Sequence, residues 1–277
     1  MSHSRTRVWA EIGFLYLGSC LLIRGIKALV DGGGLASDWL VLVALVFLYA
    51  PIVAEKWNGY RVPSDILFPS PLWPAIAKAA KFAGAIILLI YVFFLPGYHL
   101  CQTWLYHWFT ADVLELARPY GEFRPSNGFS WGIGLTLLMQ VLYQLLCVGY
   151  AEEFFYRGYM QTRLNTLFRA DRFQLFGAQF GWSLPITAIL FTLGHSLVTL
   201  QWWQPFIIFP ALVFGWMRAK TGNILAAALF HAFANAAMIT LDHIYGLPGA
   251  RLDPTTLEGL FSDLMAPVHW LGSLFGG

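Results

Sequence analysis

Residues 131–157 read WGIGLTLLMQVLYQLLCVGYAEEFFYR. The stretch begins as an apolar run and ends in two adjacent carboxylates, Glu152 and Glu153, with Arg157 four residues after the second. An uncharged run of roughly 20 residues is typical of a membrane-spanning helix. Ionisable groups at the edge of such a helix are costly to retain, so they are functional candidates.

The composition of the whole chain predicts a polytopic membrane protein. Of its 277 residues, 58% are hydrophobic and only 12% are charged, whereas soluble domains are about 25% charged. The net charge of +2 gives no reason to propose nucleic-acid binding. The 3 cysteines are widely spaced and indicate neither a disulfide framework nor a metal site.

The predicted fold class is all-α, a membrane bundle of seven or eight transmembrane helices. Hydropathy and length identify seven candidate spans. They are 8–30, 38–54, 76–96, 131–150, 184–200, 204–219 and 223–241. The stretches 99–117 and 255–275 resemble interfacial amphipathic helices, and either would supply an eighth span.

We predict a single integral-membrane domain over 1–277. Residues 1–130 form N-terminal spans without a recognised motif, and 131–241 form the catalytic helices. Residues 242–277 form an interfacial tail or an extra helix. The apolar run that starts at Val8 has no evident cleavage site, so it is interpreted as an uncleaved first span.

The distribution of basic residues predicts a cytoplasmic N-terminus, because Lys and Arg favour the cytoplasmic ends of spans. If the spans alternate, most of these residues fall on one side. Arg24 and Lys27 are the exception, since they lie near the outer end of the first span. The short loops and the basic cytoplasmic face favour a bacterial inner membrane.

Two more polar clusters lie within apolar segments further along the chain. One is Phe191-Thr-Leu-Gly-His195, and the other is His231-Ala-Phe-Ala-Asn235. In the predicted topology all three clusters reach the cytoplasmic half of the membrane. Two carboxylates, two histidines and an asparagine would then meet at one site.

The helical spacing assigns different roles to the two carboxylates. Glu153 precedes Arg157 by four residues, which favours an ion pair and a structural role. Glu152 points about 100° away from Glu153 and is free to face a cavity as a general base. The alternative for this cluster is a solvated helix end that carries a simple ion pair.

The histidines and the asparagine have both catalytic and structural interpretations. His195 would orient or deprotonate a water together with Glu152, or it would only bond to a backbone carbonyl. His231 and Asn235 share a helix face and would donate to a developing oxyanion. The alternative is a hydrogen-bonded pair that joins two helices.

Other peptidase classes lack their motifs in this chain. It contains neither His-Glu-x-x-His nor Gly-x-Ser-x-Gly. A zinc site made of Glu152, His195 and His231 is nonetheless chemically feasible, because two histidines and a carboxylate suit a catalytic zinc ion.

The three ordered motifs resemble those of the CAAX protease and bacteriocin-processing family, also called Abi or glutamic intramembrane proteases. The resemblance covers about 145–240. It implies a helical fold with a cavity open to the cytosol and the lipid. It also implies that Glu152 and His195 activate water, that His231 and Asn235 form the oxyanion hole, and that no metal is needed. Glu153 and Arg157 would support the site.

The leading hypothesis is therefore a glutamate-dependent intramembrane endopeptidase that cleaves near the C-terminus of a membrane-associated or lipidated protein. Its partners would be membrane lipids and a substrate with a hydrophobic or lipidated C-terminal segment. A zinc peptidase using the same residues and a non-catalytic immunity or scaffold protein are the alternatives. Aromatic side chains near the motifs are candidates for the substrate cavity. They are Phe154, Phe155, Tyr156, Tyr159 and Phe191.

Overall fold

The computed structural model describes residues 5–34, 41–101, 138–198 and 204–244. Within these ranges the protein is mostly helical, which confirms the predicted class, and it also contains one small β-hairpin. In chain order the elements are α1 (Arg5–Asp31), α2 (Val41–Asn58), the single turn α3 (Ser64–Leu67), α4 (Leu72–Leu100), α5 (138–164), β1 (Phe173–Leu175), β2 (Ala178–Phe180), α6 (Ser183–Val198), α7 (Ile208–Thr221) and α8 (Leu225–Ile244).

Each predicted span overlaps a helix where it is described, but the helices differ in length. Two of them, α1 and α4, are long and apolar enough to cross a membrane, while α6 and Leu225–Leu241 are apolar and shorter. The count of seven or eight spans therefore stays a prediction. The proposed helices at 99–117 and 255–275 fall almost wholly outside the described residues.

The chain divides into two compact units. The first comprises Met1–Ala83 and Leu145–His231, and the second comprises Gly84–Gln144 and Ala232–Gly277. The boundaries fall within α4, α5 and α8. The predicted division at residues 130 and 241 is a different one, based on motifs rather than on packing.

In the first unit α1 packs against α2 and α6, and α6 packs against α7. The buried face of α1 recurs at helical spacing. Its buried residues are Val8, Glu11, Ile12, Leu15, Tyr16, Ser19, Cys20, Ile23 and Ile26. The other face exposes large apolar side chains such as Phe14 and Leu21, which are 62% and 70% exposed. An exposed apolar face of this kind suits contact with lipid.

A buried ion pair joins α1 to α5. Arg163 donates from Nη2 to Glu11 Oε2 at 2.7 Å and from Nε to both carboxylate oxygens. Tyr159 donates to Glu11 Oε1 at 2.5 Å, and the Tyr60 ring lies 4.3 Å from the Arg163 guanidinium carbon. Burial raises the pKa of Tyr60, which lies in the loop after α2. The polar groups of this cluster therefore satisfy one another inside the protein.

The connection from α5 to α6 is the hairpin of β1 and β2, which the sequence did not predict. Phe173 pairs with Phe180, and positive φ angles at Phe176 and Gly177 make the turn. Two side chains of α7 bind the turn. Trp216 donates to the Leu175 carbonyl at 3.0 Å, and Lys220 donates to the Phe176 carbonyl at 2.8 Å.

A tight turn joins α7 to α8. Gly222 has a φ of 77°, and its N–H bonds to the Arg218 carbonyl at 2.9 Å, which ends α7 in a left-handed cap. The Asn223 side chain accepts from the Leu225 N–H at 3.1 Å and begins α8. This turn sets the position of His231 along α8.

The second unit is described over 84–101, 138–144 and 232–244. Tyr91 of α4 packs edge-on against Phe233 of α8, with ring centroids 5.1 Å apart. The Asn235 amide donates to Gln144 Oε1 at 3.1 Å. Side chains of α4, α5 and α8 thus meet within this unit.

Candidate active site

The helix that carries the paired carboxylates is not a regular α-helix. One α-helical turn, Tyr150–Glu153, lies between two π-helical segments, Gln144–Gly149 and Phe154–Gln161. In a π-helix each N–H bonds five residues back, and such segments are frequent at functional sites. The irregular backbone therefore coincides with Glu152 and Glu153.

Glu153 is completely buried and is bonded to two side chains. Its Oε1 accepts from Arg157 Nη1 at 2.8 Å and from His231 Nδ1 at 3.0 Å. The predicted pairing of Glu153 with Arg157 is present in the structure. The bond to His231 joins the first motif to the third, across 78 residues of sequence.

Arg157 is held by hydrogen bonds from both of its Nη atoms and by packing against aromatic rings. Its Nη2 donates to the Ala211 carbonyl of α7 at 2.9 Å. The guanidinium carbon lies 4.3 Å from the centre of the Phe191 ring and 5.1 Å from that of Phe214. Cation–π contacts of this kind stabilise a buried guanidinium. Arg157 therefore supports the site from beneath and ties α5 to α7.

His231 is held in one orientation between aromatic rings. It stacks on Phe214 with centroids 4.7 Å apart and planes at 15°, and it meets Phe191 edge-on. Since a carboxylate only accepts, His231 Nδ1 is the donor in its bond to Glu153. The other ring nitrogen, Nε2, lies 3.9 Å from Glu152 Oε2.

Glu152 lies at the edge of this buried network. It is 9% exposed, and its Oε2 atom, like that of Glu153, is buried without a hydrogen-bond partner among the described residues. Glu152 lines a cavity, and Glu153 is not among the described residues that line it. Glu152 is therefore the carboxylate that lies beside a space that a water or a ligand can enter.

That cavity has a volume of about 210 Å³ and a mostly apolar lining. It contains both Glu152 and His195, so the first and second motifs meet there. Its walls come from α1, α2, α5 and α6. The lining residues are Cys20, Ile23, Lys27, Val43, Phe47, Glu152, Tyr156, Gly194, His195 and Val198.

His195 has one ring nitrogen occupied and the other available. Its Nδ1 lies 2.9 Å from the Phe191 carbonyl, and the ring packs 4.7 Å from the Phe191 ring. A carbonyl oxygen only accepts, so Nδ1 carries the hydrogen. The Nε2 of neutral His195 then holds a lone pair and can accept a hydrogen bond.

Of the aromatic residues predicted to line the cavity, one lines it in the structure and the others do not. Tyr156 lines the cavity with Glu152. Phe155, Tyr159 and Phe191 are at most 1% exposed and are not among its lining residues. The π-helical segment accounts for the position of Tyr159, because the wider turn moves this residue off the helix face that carries Glu152. Phe154 is half-buried and is also absent from the lining.

The sequence missed the contributions of α1 and α2. Cys20, Phe47 and Lys27 line the cavity, although they lie outside the three motifs. The one sequence feature that pointed to α1 was the charge of Lys27, which lies near the outer end of the predicted first span. Gln144, the partner of Asn235 in the second unit, was also missed.

Within the described ranges, no group of three or more His, Cys, Asp and Glu side chains is arranged to hold a metal ion. Two of the predicted zinc ligands are close together, because His231 Nε2 lies 3.9 Å from Glu152 Oε2. The other ring nitrogen of His231, Nδ1, is bonded to Glu153. The zinc site stays a prediction.

One comparison with known proteins identifies a family. Residues 134–237 match the family model described as Type II CAAX prenyl endopeptidase Rce1-like. The matched segment contains all three motifs, which confirms over 134–237 the resemblance to the CAAX protease family. No curated protein and no solved structure gives a match. Together with the apolar helices, the Rce1-like segment supports a membrane protease.

Proposed function

We propose that this Rce1-like membrane protease uses Glu152 to hydrolyse a peptide bond near the C-terminus of a membrane-associated protein. The observation that carries the proposal is the contrast between the two neighbouring carboxylates. Glu153 is paired with Arg157 and hydrogen-bonded to His231, whereas Glu152 lines a cavity that it shares with His195. Only one of the pair is available for chemistry.

In the proposed first step, a water binds between Glu152 and His195. The Glu152 carboxylate takes a proton from this water, while His195 Nε2 accepts its other hydrogen and orients it. The water oxygen attacks the scissile carbonyl carbon, and the carbonyl π electrons move to its oxygen. Glu152 leaves this step as a carboxylic acid.

His231 and Asn235 are proposed to stabilise the resulting oxyanion. His231 can donate from Nε2 only as an imidazolium, because its Nδ1 already donates to Glu153. Two carboxylates and two cations, Arg157 and His231, would then balance in charge. Asn235 is assigned the second donor on its motif alone, since it follows His231 by four residues. The tetrahedral intermediate collapses when Glu152 returns its proton to the leaving nitrogen, which completes the hydrolysis.

The proposed substrate is a protein or peptide with a hydrophobic or lipidated C-terminal segment. The mostly apolar cavity lining and the exposed apolar faces of α1 and α4 support this assignment. We place the enzyme in a bacterial inner membrane with its N-terminus in the cytoplasm. Its partners are membrane lipids and the substrate, and no nucleic acid is involved.

The test compares the wild-type protein, Glu152→Gln and Glu55→Gln in detergent. Fluorogenic C-terminal peptides, prenylated and plain, are the substrates. Glu55 pairs with Arg61 at 3.7 Å and is 44% exposed, so it is a matched control for the chemical change. We expect Glu152→Gln to abolish cleavage, the control to retain it, and a chelator to leave the rate unchanged.

Three results would contradict the proposal in different ways. Retained cleavage in Glu152→Gln would eliminate the glutamate mechanism. Loss of wild-type cleavage with a chelator would support the zinc alternative. No cleavage of any peptide, with biological activity kept in the motif variants, would indicate a scaffold or an immunity protein.

A further inference from the structure

Two basic residues near the end of α1 have no role in the chemistry proposed above. Arg24 and Lys27 lie at the outer end of the predicted first span, where the distribution of charges in membrane proteins disfavours them. Ionisable groups in such a segment are functional candidates. The structure gives each of them a different environment.

Lys27 lines the same cavity as Glu152 and His195. Arg24 instead donates from Nη1 to the Leu197 carbonyl of α6 at 3.0 Å. Lys27 is therefore adjacent to the cavity that contains Glu152 and His195, and it is the one Lys or Arg among the described residues that line this cavity.

Two hydrogen bonds set the register between α1 and α6. Tyr16 donates to the Leu190 carbonyl at 2.9 Å, and Arg24 donates to the Leu197 carbonyl. The second bond lies further along both helices than the first, so α1 and α6 run in the same direction. Each residue of α1 can therefore be assigned a residue of α6 at the same height along the helix axes.

This register gives the axial offset between the backbone positions of His195 and Lys27. His195 precedes Leu197 by two residues, and Lys27 follows Arg24 by three. The offset of about five residues corresponds to roughly 7.5 Å along the helix axes. An extended peptide covers about 3.3–3.6 Å per residue, so two to three residues would span this distance.

The partner of Lys27 does not prevent it from binding a substrate. Lys27 Nζ lies 3.0 Å from Asp31 Oδ2, and the two side chains are 36% and 61% exposed. Exposed pairs within one helix are weak. A substrate carboxylate in the cavity can therefore compete with Asp31 for the ammonium group.

We propose that Lys27 binds the free C-terminal carboxylate of the substrate, two to three residues beyond the scissile bond. This inference rests on the function proposed above, because it assumes that the bond is cut beside Glu152 and His195. Lys27 would then be a specificity-determining residue. It would direct the enzyme to chain ends rather than to internal peptide bonds.

The test uses one labelled peptide with a farnesyl-cysteine at its fourth-last position, as the free acid and as the C-terminal amide. We expect wild-type kcat/KM to be roughly ten- to a hundredfold higher for the acid, the range of a hydrogen bond to a charged group. In Lys27→Met the preference should vanish, because kcat/KM should fall much more for the acid than for the amide. Equal preference in wild type and Lys27→Met would overturn the proposal.

Two further variants separate charge from structure. Lys27→Arg should keep most of the preference for the acid. Asp31→Asn, which removes the competing carboxylate, should keep or increase it. Loss of the preference in Asp31→Asn would show that the pair is structural and would count against the proposal.

Binding to Glu152→Gln distinguishes failure of this inference from failure of the proposed function. The two labelled peptides are titrated into Glu152→Gln and into the double variant Glu152→Gln/Lys27→Met, with anisotropy as the readout. Tighter binding of the acid in the first variant only would support the role of Lys27, even if neither peptide is cleaved. Equal binding of acid and amide by the first variant would refute it, even if Glu152 proves catalytic.

Discussion

Glu152 and Glu153 show how adjacent identical residues acquire different properties from their surroundings. The side chain of Glu153 lies among Arg157 and His231, with both bonds to its Oε1 atom at 3.0 Å or less. Glu152 is one residue earlier and faces the cavity. A Glu→Gln substitution should therefore mainly lower stability at position 153. At position 152 it should abolish activity and leave stability almost unchanged.

Glu153→Gln is expected to destabilise the protein. It removes the negative charge that balances a fully buried Arg157, and breaking a buried ion pair typically costs about 3–5 kcal/mol. Thermal unfolding in detergent should show a clear drop in Tm for Glu153→Gln. Glu152→Gln should unfold close to the wild-type temperature.

Glu55→Gln provides the baseline for that experiment. Its exposed pair with Arg61 should contribute no more than about 1 kcal/mol. A Tm for Glu153→Gln as high as that of Glu55→Gln would show that Glu153 does not hold the site together.

At this scale the sequence predicted local pairs but not distant ones. The pairing of Glu153 with Arg157 follows from their spacing on a helix. The bond from His231 to Glu153 depends on how α8 packs against α5, and no local pattern encodes it. Tyr159 was assigned to the face of Glu152 because the spacing assumed a regular α-helix, whereas the π-helical segment turns it toward Glu11.

At the scale of elements, α1 is a structural part of the first unit. Its Glu11 forms a buried pair with Arg163 on α5, and its Tyr16 and Arg24 bind carbonyls of α6. These contacts anchor α1 to α5 and α6.

Glu11→Leu should destabilise the protein by about 3–5 kcal/mol, because it leaves Arg163 buried and unpaired. The double variant Glu11→Leu/Arg163→Met should recover much of that loss, since apolar groups of similar volume can replace a buried pair. Chemical or thermal unfolding of both variants gives the measurement. A double variant less stable than Glu11→Leu would show that the pair contributes more than charge balance.

The helices were predictable from apolar runs, whereas the hairpin was not. β1 and β2 have three residues each, too few for alternation to be recognised. Their pairing is supported by Trp216 and Lys220 of α7, which are distant in sequence. Residues of α1 and α2 also line the cavity. They could not be identified from the sequence, because neither helix contains one of the three motifs.

At the scale of the whole molecule, the central expectation is the orientation of the helices in the membrane. Within the first unit, Trp9 near the start of α1 packs edge-on against Phe168 after α5, with centroids 6.2 Å apart. The beginning of α1 and the loop after α5 therefore lie at one end of this unit. The 27 residues of α1 would extend about 40 Å, enough to cross a bilayer core.

Labelling of single cysteines checks this orientation. The three native cysteines are replaced, and Arg5→Cys, Asp171→Cys or Asp31→Cys is introduced at exposed positions. In inverted bacterial membrane vesicles, an impermeant maleimide should label positions 5 and 171, and in intact cells only position 31. Labelling of positions 5 and 31 from the same side would show that α1 does not cross the membrane.

The π-helical segment after Glu153 also determines how α5 responds to a change in its length. A π turn holds more residues than an α turn, so Phe154–Gln161 contains spare chain. Deleting one residue there converts a π turn into an α turn, so the part of α5 that follows should keep Arg163 facing Glu11. The part that precedes the deletion, with Glu152, would keep its phase. A deletion in a regular α-helical stretch would instead rotate one end of α5 relative to the other by about 100°. The π-helical segment therefore makes α5 tolerant of the loss of a single residue between Glu152 and Arg163.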